Sequence, residues 1–143
     1  LSLHDALPIY QLKGSENVIL NTTGSKNIAN LLSLGIENRI VHRVLPTVSV
    51  MKQCIDNEVK IEDIIAIKGP IGYDLNVGFI KQYNAKAIIL KDSGLRGATA
   101  EKIEAAISAQ IYVFVIEREN QKHENTFQDE KLLVDYIKEN NLY

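Results

Sequence analysis

Five runs of aliphatic and β-branched residues recur along the chain at intervals of roughly 22 to 25 residues, separated by stretches with helical spacing. Strands that alternate with helices in this way are joined by right-handed crossovers, so the strands run parallel. The sequence therefore predicts an α/β fold, a Rossmann-like or flavodoxin-like three-layer domain with a five-stranded parallel sheet. The predicted strands are 18–22, 39–45, 64–67, 85–90 and 111–116.

The chain has 143 residues, which is enough for one domain with a hydrophobic core and too short for two. Residues 1–9 do not resemble a signal peptide, because they lack a basic start and a long apolar segment. They resemble translated sequencing adapter joined to a shortened reading frame. We expect residues 1–9 to be a non-native leader and residues 10–143 to form a single Rossmann-like domain.

Composition argues against several classes of protein. A net charge of -2 is unfavourable for a protein that binds nucleic acid by neutralising phosphates. No apolar run approaches the roughly 18 residues required to cross a bilayer. Cys54 is the only cysteine, and we interpret it as a small buried residue in a reducing compartment. We therefore expect no nucleic-acid partner, no membrane and a cytoplasmic location.

Residue types at the predicted helix ends indicate where the helices begin and end. Ser25 is expected to cap the N-terminus of the first helix, and Gly35 to end it. Thr47 is expected to cap the second helix. The strand at 64–67 is entirely apolar and is expected to be covered on both faces. The predicted buried stripe of the second helix contains Val48, Met51, Cys54 and Ile55.

Three short segments place glycine, hydroxyl and basic residues directly after predicted strands, at 23–27, 68–72 and 91–97. Because the carboxyl ends of parallel strands meet at one edge of a sheet, these segments predict a pocket for an anionic small molecule. The first two segments also fit simple structural turns, and both interpretations stay open. The functional interpretation is stronger for Lys91, since a lysine directly after a buried strand lies at the ligand-binding edge.

The sequence shows no arrangement typical of acid–base, nucleophilic or metal chemistry, so the catalytic residue is unknown and no metal is expected. A dinucleotide-binding glycine fingerprint and a Walker motif are also missing. His42, in a predicted strand, and His123, in a polar stretch, are interpreted as structural or solvated. Glycines, hydroxyls and positive charge without such groups favour chemistry performed by a cofactor, such as hydride transfer from a nicotinamide to a large anionic substrate.

Five motifs follow one another between Val18 and Arg118. They are NTTGSKN at 21–27, RVLPT at 43–47, KGP at 68–70 with Asn76, LKDSG at 90–94 and KIEAA at 102–106. In this order they resemble the C-terminal half of the precorrin-6A and cobalt-precorrin-6A reductases, oxidoreductases of cobalamin biosynthesis within porphyrin metabolism. The resemblance covers most of the chain, and the combination of motifs is far more specific than any one of them.

The resemblance implies two facing Rossmann-like domains, with a cleft in which a reduced nicotinamide cofactor, NADPH or NADH, meets a tetrapyrrole substrate. A hydride then reduces one double bond of the macrocycle and converts (cobalt-)precorrin-6A to (cobalt-)precorrin-6B. The implied cofactor-binding residues are Gly24, Ser25, Lys26, Lys91, Ser93 and Gly94. The implied substrate-binding residues are Arg43, Gly69, Pro70, Asn76 and Lys91, and among them Lys91 and Arg43 are expected to contact acidic groups.

The chain departs from the family pattern at several places. Leu90 stands where threonine is usual, Gly97-Ala98 replaces Gly-Gly, and Arg118-Glu119 replaces Arg-Pro. The resemblance further implies that the N-terminal domain is missing, so we expect little or no reductase turnover from this chain alone. Two other hypotheses stay open: a freestanding domain that binds a nucleotide or tetrapyrrole without turnover, and a structural subunit whose sheet edge packs against a partner.

Overall fold

The structure is a computed structural model that describes residues 16–91 and 98–116. Within these ranges, strands and helices alternate as predicted. The strands are β1 (Val18–Asn21), β2 (Ile40–Val44), β3 (Ile64–Ala66), β4 (Ala85–Lys91) and β5 (Tyr112–Ile116). The α-helices are α1 (Ile28–Ser33), α2 (Val48–Asp56), α3 (Tyr73–Gln82) and α4 (Ala98–Ala109). Single 3-10 turns at Ser25–Asn27 and Ile61–Asp63 precede α1 and β3.

The five strands are parallel and lie in the order β3-β2-β1-β4-β5. The chain therefore moves outward from β1 to β3, and α3 then carries it back to β4 on the other side of β1. This is the order of the first five strands of a Rossmann sheet and not the flavodoxin order. The structure thus confirms the predicted α/β fold and decides between the two sheet types that the sequence left open.

The sheet is buried on both faces, because side chains alternate along each strand. Leu20 and Ile88 lie on the face that packs against α3 and α4. Ile19 and Ile89 lie on the opposite face, where Leu31 of α1 packs against them. All four residues of the central strand β1 are buried. A strand covered on both faces in this way fixes the position of the residues that directly follow it.

Two of the three predicted helix ends are confirmed. Gly35 follows α1 with a φ of 65°, and the hydroxyl of Thr47 accepts a hydrogen bond from the backbone nitrogen of Val50 at the start of α2 (3.2 Å). The prediction that Ser25 caps a helix is wrong. Because α1 begins only at Ile28, Ser25 lies inside the preceding 3-10 turn, and its hydroxyl donates to Oε1 of Gln53 in α2 (2.6 Å).

Two expectations about burial are also wrong. In the described part of the chain β3 lies at the edge of the sheet, so Ala66 is exposed where a fully covered strand was expected. In α2 only Cys54 is buried, whereas Val48 is 88% exposed and Ile55 is 59% exposed. The buried Cys54 packs against Ile28 of α1 and Val44 of β2, while Val48 and Ile55 lie on the exposed side of the helix. None of the described helices is long and apolar enough to span a membrane.

Candidate functional site

The carboxyl ends of β1 and β4 mark the point at which the chain changes direction within the sheet. After β1 the chain enters α1 on one face, and α4, which follows β4, lies on the other face. The helices that follow these two adjacent strands therefore lie on opposite faces, and open parallel sheets bind ligands outside the carboxyl ends of the strands at such a point. Among the described residues that the sequence predicts for a site, Gly24, Ser25 and Lys26 follow β1, Arg43 is the penultimate residue of β2, and Lys91 is the last residue of β4. Gly69 and Pro70 lie in the turn that follows β3, and Asn76 lies in the first turn of α3.

Gly24 makes the turn after β1. Its φ of 85° lies in the left-handed region, and a β-carbon at this position would meet no atom within 4 Å. The backbone conformation therefore requires glycine here, and none of the described residues occupies the space around a β-carbon at this position. Lys26 is exposed and Ser25 is half-buried against Gln53. The predicted role of Gly24, Ser25 and Lys26 in holding a cofactor stays a prediction.

Replacing Gly24 with alanine is expected to lower the free energy of unfolding by about 1 kcal/mol, because alanine must adopt a positive φ. Gly78 provides a matched control, since it lies inside α3 and a β-carbon there also meets nothing within 4 Å. Alanine at Gly78 is expected to raise stability by about 0.5 to 1 kcal/mol. Urea unfolding measures both effects, and a change of the same sign in both variants would contradict this interpretation of Gly24.

A layer of buried polar side chains lies directly beneath this turn. Oδ1 of Asn21 accepts hydrogen bonds from the backbone nitrogen (3.0 Å) and the hydroxyl (2.7 Å) of Thr23. Nδ2 of Asn21 lies 2.9 Å from Nδ1 of His42 in β2. The hydroxyl of Thr22 donates to the backbone oxygen of Ile89 in β4 (2.7 Å). The network therefore ties the turn after β1 to both neighbouring strands.

His42 is a neutral member of this network. Because the amide nitrogen of Asn21 only donates, Nδ1 of His42 accepts and the ring carries its proton on Nε2. Burial lowers the pKa of His42 from 6.5 to about 4, although the charge of Asp63 opposes this effect. The imidazole is 1% exposed and neutral at pH 7. The structure therefore gives His42 the structural position that its place within a strand indicated.

Arg43 and Asn76 connect β2 to the segment before α3. Since Arg43 follows His42 in the strand, it lies on the opposite face of the sheet, toward α3 and α4. Its Nη1 donates to Oδ1 of Asn76 (2.9 Å). Asn76 is fully buried, and its Nδ2 donates to the backbone oxygens of Gly72 (2.9 Å) and Ile71 (3.2 Å). One amide thus fixes both the guanidinium and the 68–72 turn.

Lys102 of α4 lies on the same face of the sheet as this pair, although it was not among the site residues predicted from the sequence. It stands on α4 one helical turn before Ala106, which is fully buried against the sheet, and therefore faces the sheet near its carboxyl edge. Burial and then the positive charge of Arg43 lower the pKa of Lys102 from 10.5 to about 8. The signal in the sequence was a lysine on the apolar face of a predicted helix, next to its N-terminus.

The 68–72 turn lies at the surface of the edge. Gly69 and Pro70 are exposed, the peptide bond between them is cis, and a β-carbon at Gly69 or Gly72 would meet nothing within 4 Å. Ile71 is buried and anchors the turn on the core. Among the described residues, Asn76 links Arg43 to Ile71 and Gly72 of this turn. The predicted contact of Gly69 and Pro70 with a substrate stays a prediction.

Lys91 is the last residue of β4 and is exposed. Alternation along β4 puts it on the same face as Ile89, toward α1 and α2, whereas Arg43 faces α3 and α4. A ligand must therefore extend across the sheet edge to contact both cations. Ser93 and Gly94, the other residues predicted to bind the cofactor after β4, lie outside the described residues.

Comparisons with known proteins agree with the motifs. The model of the family Precorrin-6x reductase CbiJ/CobK matches residues 2–138. The cobalt-precorrin-6A reductase of Methanothermobacter thermautotrophicus is 31% identical over 128 residues, which are 88% of this chain and 42% of that protein. The enzyme of the same name from Salmonella typhimurium is 34% identical over 117 residues, covering 82% of this chain and 44% of that protein. The chain therefore spans less than half the length of these two relatives.

A solved structure of CobK precorrin-6A reductase has a TM-score of 0.60 to this chain at 11% sequence identity, covering 92% of this chain and 52% of the other. At this identity the likeness supports the fold alone. The division into a non-native leader at residues 1–9 and a single domain at residues 10–143 stays a prediction. The match of the family model over residues 2–138 and the relatives at more than 30% identity show that the chain belongs to the precorrin-6x reductase CbiJ/CobK family.

Proposed function

We propose that this chain is one half of a (cobalt-)precorrin-6A reductase of cobalamin biosynthesis, in which a hydride from NADPH or NADH reduces a double bond of the tetrapyrrole. The proposal rests on the family to which the chain belongs. It is supported by cations on both faces of the sheet edge, Arg43 and Lys102 on one and Lys91 on the other. In this proposal the N-terminal domain of the family supplies the opposite wall of the cleft.

The residues at the edge fit an anionic dinucleotide and a polycarboxylate. Open space in front of Gly24, with exposed Lys26 and Lys91, is compatible with phosphate oxygens. The guanidinium of Arg43 uses Nη1 to contact Asn76. Among the described residues its other N–H groups have no partner, so they are suited to a carboxylate. Positive charge on both faces of the edge is favourable for ligands that carry several acidic groups.

A nicotinamide bound at this edge supplies the hydride. The residues of this chain bind and orient the reactants, because the cations hold acidic groups and the open glycine turns admit a ligand close to the backbone. His42 does not serve as proton donor to the substrate in this proposal, since its ring is buried, bonded to Asn21 and neutral at pH 7.

A fluorescence titration of the purified chain with NADPH and with NADH tests the proposal. Saturable binding is expected, and Lys91→Ala is expected to weaken it about tenfold through loss of one charge-assisted contact. Lys86→Ala is the matched control, because Lys86 is an exposed lysine near the other end of β4 and is expected to leave the affinity unchanged. Equal affinities of the parent chain and Lys91→Ala would contradict the role of Lys91.

A measurement of turnover distinguishes the reductase half from a freestanding binding domain and from a structural subunit. Oxidation of NADPH in the presence of cobalt-precorrin-6A is expected to be negligible for the chain alone and to appear when an N-terminal half from a relative is added. Binding without turnover under both conditions would favour a freestanding binding domain. If the chain is instead a structural subunit, Lys91→Ala is expected to weaken its assembly with the partner and to leave ligand binding unchanged.

A further inference from the structure

Two cations lie on the α3–α4 face of the sheet edge, and the described residues provide no counter-ion for either of them. In the described part of the chain neither Arg43 nor Lys102 forms an ion pair, whereas Arg39 pairs with Asp63 (2.6 Å) and Lys52 pairs with Asp56 (2.8 Å) elsewhere. Arg43 is held by a neutral amide, which contributes no negative charge. The positive charge at this place is therefore uncompensated by the described residues.

This arrangement is electrostatically unfavourable without a ligand. Burial lowers the pKa of Arg43, and burial together with the charge of Arg43 lowers the pKa of Lys102 to about 8. Desolvation and a neighbouring like charge both disfavour the protonated forms. An oxyanion that contacts both groups would relieve both effects. Such a pair at the ligand-binding edge of a parallel sheet is more typical of a binding site than of a structural contact.

We propose that Arg43 and Lys102 together form an oxyanion-binding subsite, in which Asn76 holds the guanidinium in place. The inference rests on the proposed function, which provides two sources for the anion: a carboxylate of the tetrapyrrole or a phosphate of the nicotinamide dinucleotide. The two side chains come from β2 and α4, and Asn76 comes from α3. The subsite therefore depends on the packing of α3 and α4 on the face of the sheet toward which Arg43 points.

Glu101 precedes Lys102 in α4 and carries a buried carboxylate oxygen. It stands one helical turn before the buried Ala105, and its Oε2 is buried without a hydrogen-bond partner in the described part of the chain. The carboxylate forms no ion pair with Arg43 or Lys102 among the described residues. Because Oε2 is buried, it does not contribute to the oxyanion subsite formed by Arg43 and Lys102.

Two probes measure the subsite in the purified chain. One is uroporphyrin, a tetrapyrrole with acetate and propionate side chains, and the other is NADPH. Lys102→Met is expected to weaken binding of at least one probe about tenfold, and Lys102→Arg is expected to restore most of the affinity. Lys81→Met is the control, since it removes the same charge from an exposed position in the last turn of α3 and is expected to leave both affinities unchanged.

The unfolding temperature of each variant shows whether a loss of binding results from a loss of folding. Because Lys102 is held at an electrostatic cost, Lys102→Met without ligand is expected to unfold at the same temperature as the parent chain or at a higher one. Combining Lys102→Met with Arg43→Gln is expected to weaken binding by less than the product of the two single effects, because both side chains contact one anion. Independent effects of the two substitutions would contradict a shared subsite.

The two probes also identify the anion. Weaker binding of uroporphyrin alone supports a carboxylate of the tetrapyrrole as the occupant, and weaker binding of NADPH alone supports a phosphate. Unchanged affinity of Lys102→Met for both probes overturns the subsite and leaves the proposed function standing. A folded parent chain that binds neither probe overturns the subsite and the binding role that the proposed function gives to this half.

Discussion

Replacing Asn76 with leucine is expected to lower the free energy of unfolding of the chain by about 3 kcal/mol. The side chain is fully buried and makes three hydrogen bonds, which leucine cannot replace. The substitution leaves the partly buried guanidinium of Arg43 without its acceptor and the backbone oxygen of Ile71 without its donor. Urea unfolding followed by circular dichroism measures the loss.

Gln82 on the same helix provides the control for this substitution. It is exposed at the end of α3, so Gln82→Leu exchanges an amide for the same apolar side chain without removing a buried contact. Its effect is expected to stay within about 0.5 kcal/mol. A loss below about 1 kcal/mol for Asn76→Leu would mean that Asn76 does not hold Arg43, and the subsite with Lys102 would then lose its support.

Stability is expected to fall as the pH falls from about 6.5 to about 4, because of His42. The folded chain keeps this imidazole neutral down to about pH 4, whereas the unfolded chain takes up a proton near pH 6.5. Between these values the unfolded state binds more protons, so acid favours unfolding, and the contribution is fully present above about pH 6.5. The complete loss is about 3 kcal/mol.

His42→Asn isolates this contribution from that of the carboxylates. Asparagine offers an acceptor near the position of Nδ1, so the bond from Asn21 is kept, but it does not titrate. Unfolding free energies of both chains at about pH 7 and about pH 4.5 are compared, and the parent chain is expected to lose more. An equal loss in both chains would contradict this explanation, because it would show that His42 takes up its proton in the folded chain as readily as in the unfolded chain.

Much of the local structure could be predicted from the sequence because it depends on residues close together in the chain. Gly35 ends α1 and Thr47 caps α2 through contacts within one turn, so residue type alone indicates both positions. Hydrophobic spacing indicates which residues share a helix face but not whether another element covers that face. Val48 and Ile55 were therefore placed in a buried stripe and are exposed.

In the candidate site, too, some features could be predicted from the sequence and others could not. From sequence, residues after parallel strands were expected at one edge of the sheet, and Gly24, Arg43, Asn76 and Lys91 do lie there. The sequence did not reveal that Arg43 and Lys91 occupy opposite faces of that edge, because this requires the exact strand ends.

The order of strands and helices, the turn at Gly24 and the resemblance to the family could all be predicted from the types and spacing of the residues. Only the tertiary structure brought Arg43, Asn76 and Lys102 together. Arg43 and Asn76 are 33 positions apart in the chain and lie on different elements. They meet because the sheet order β3-β2-β1-β4-β5 sends α3 back across the sheet. Burial and the charge of Arg43 then lower the pKa of Lys102. Such juxtaposition depends on long-range packing, which no local pattern of residues specifies.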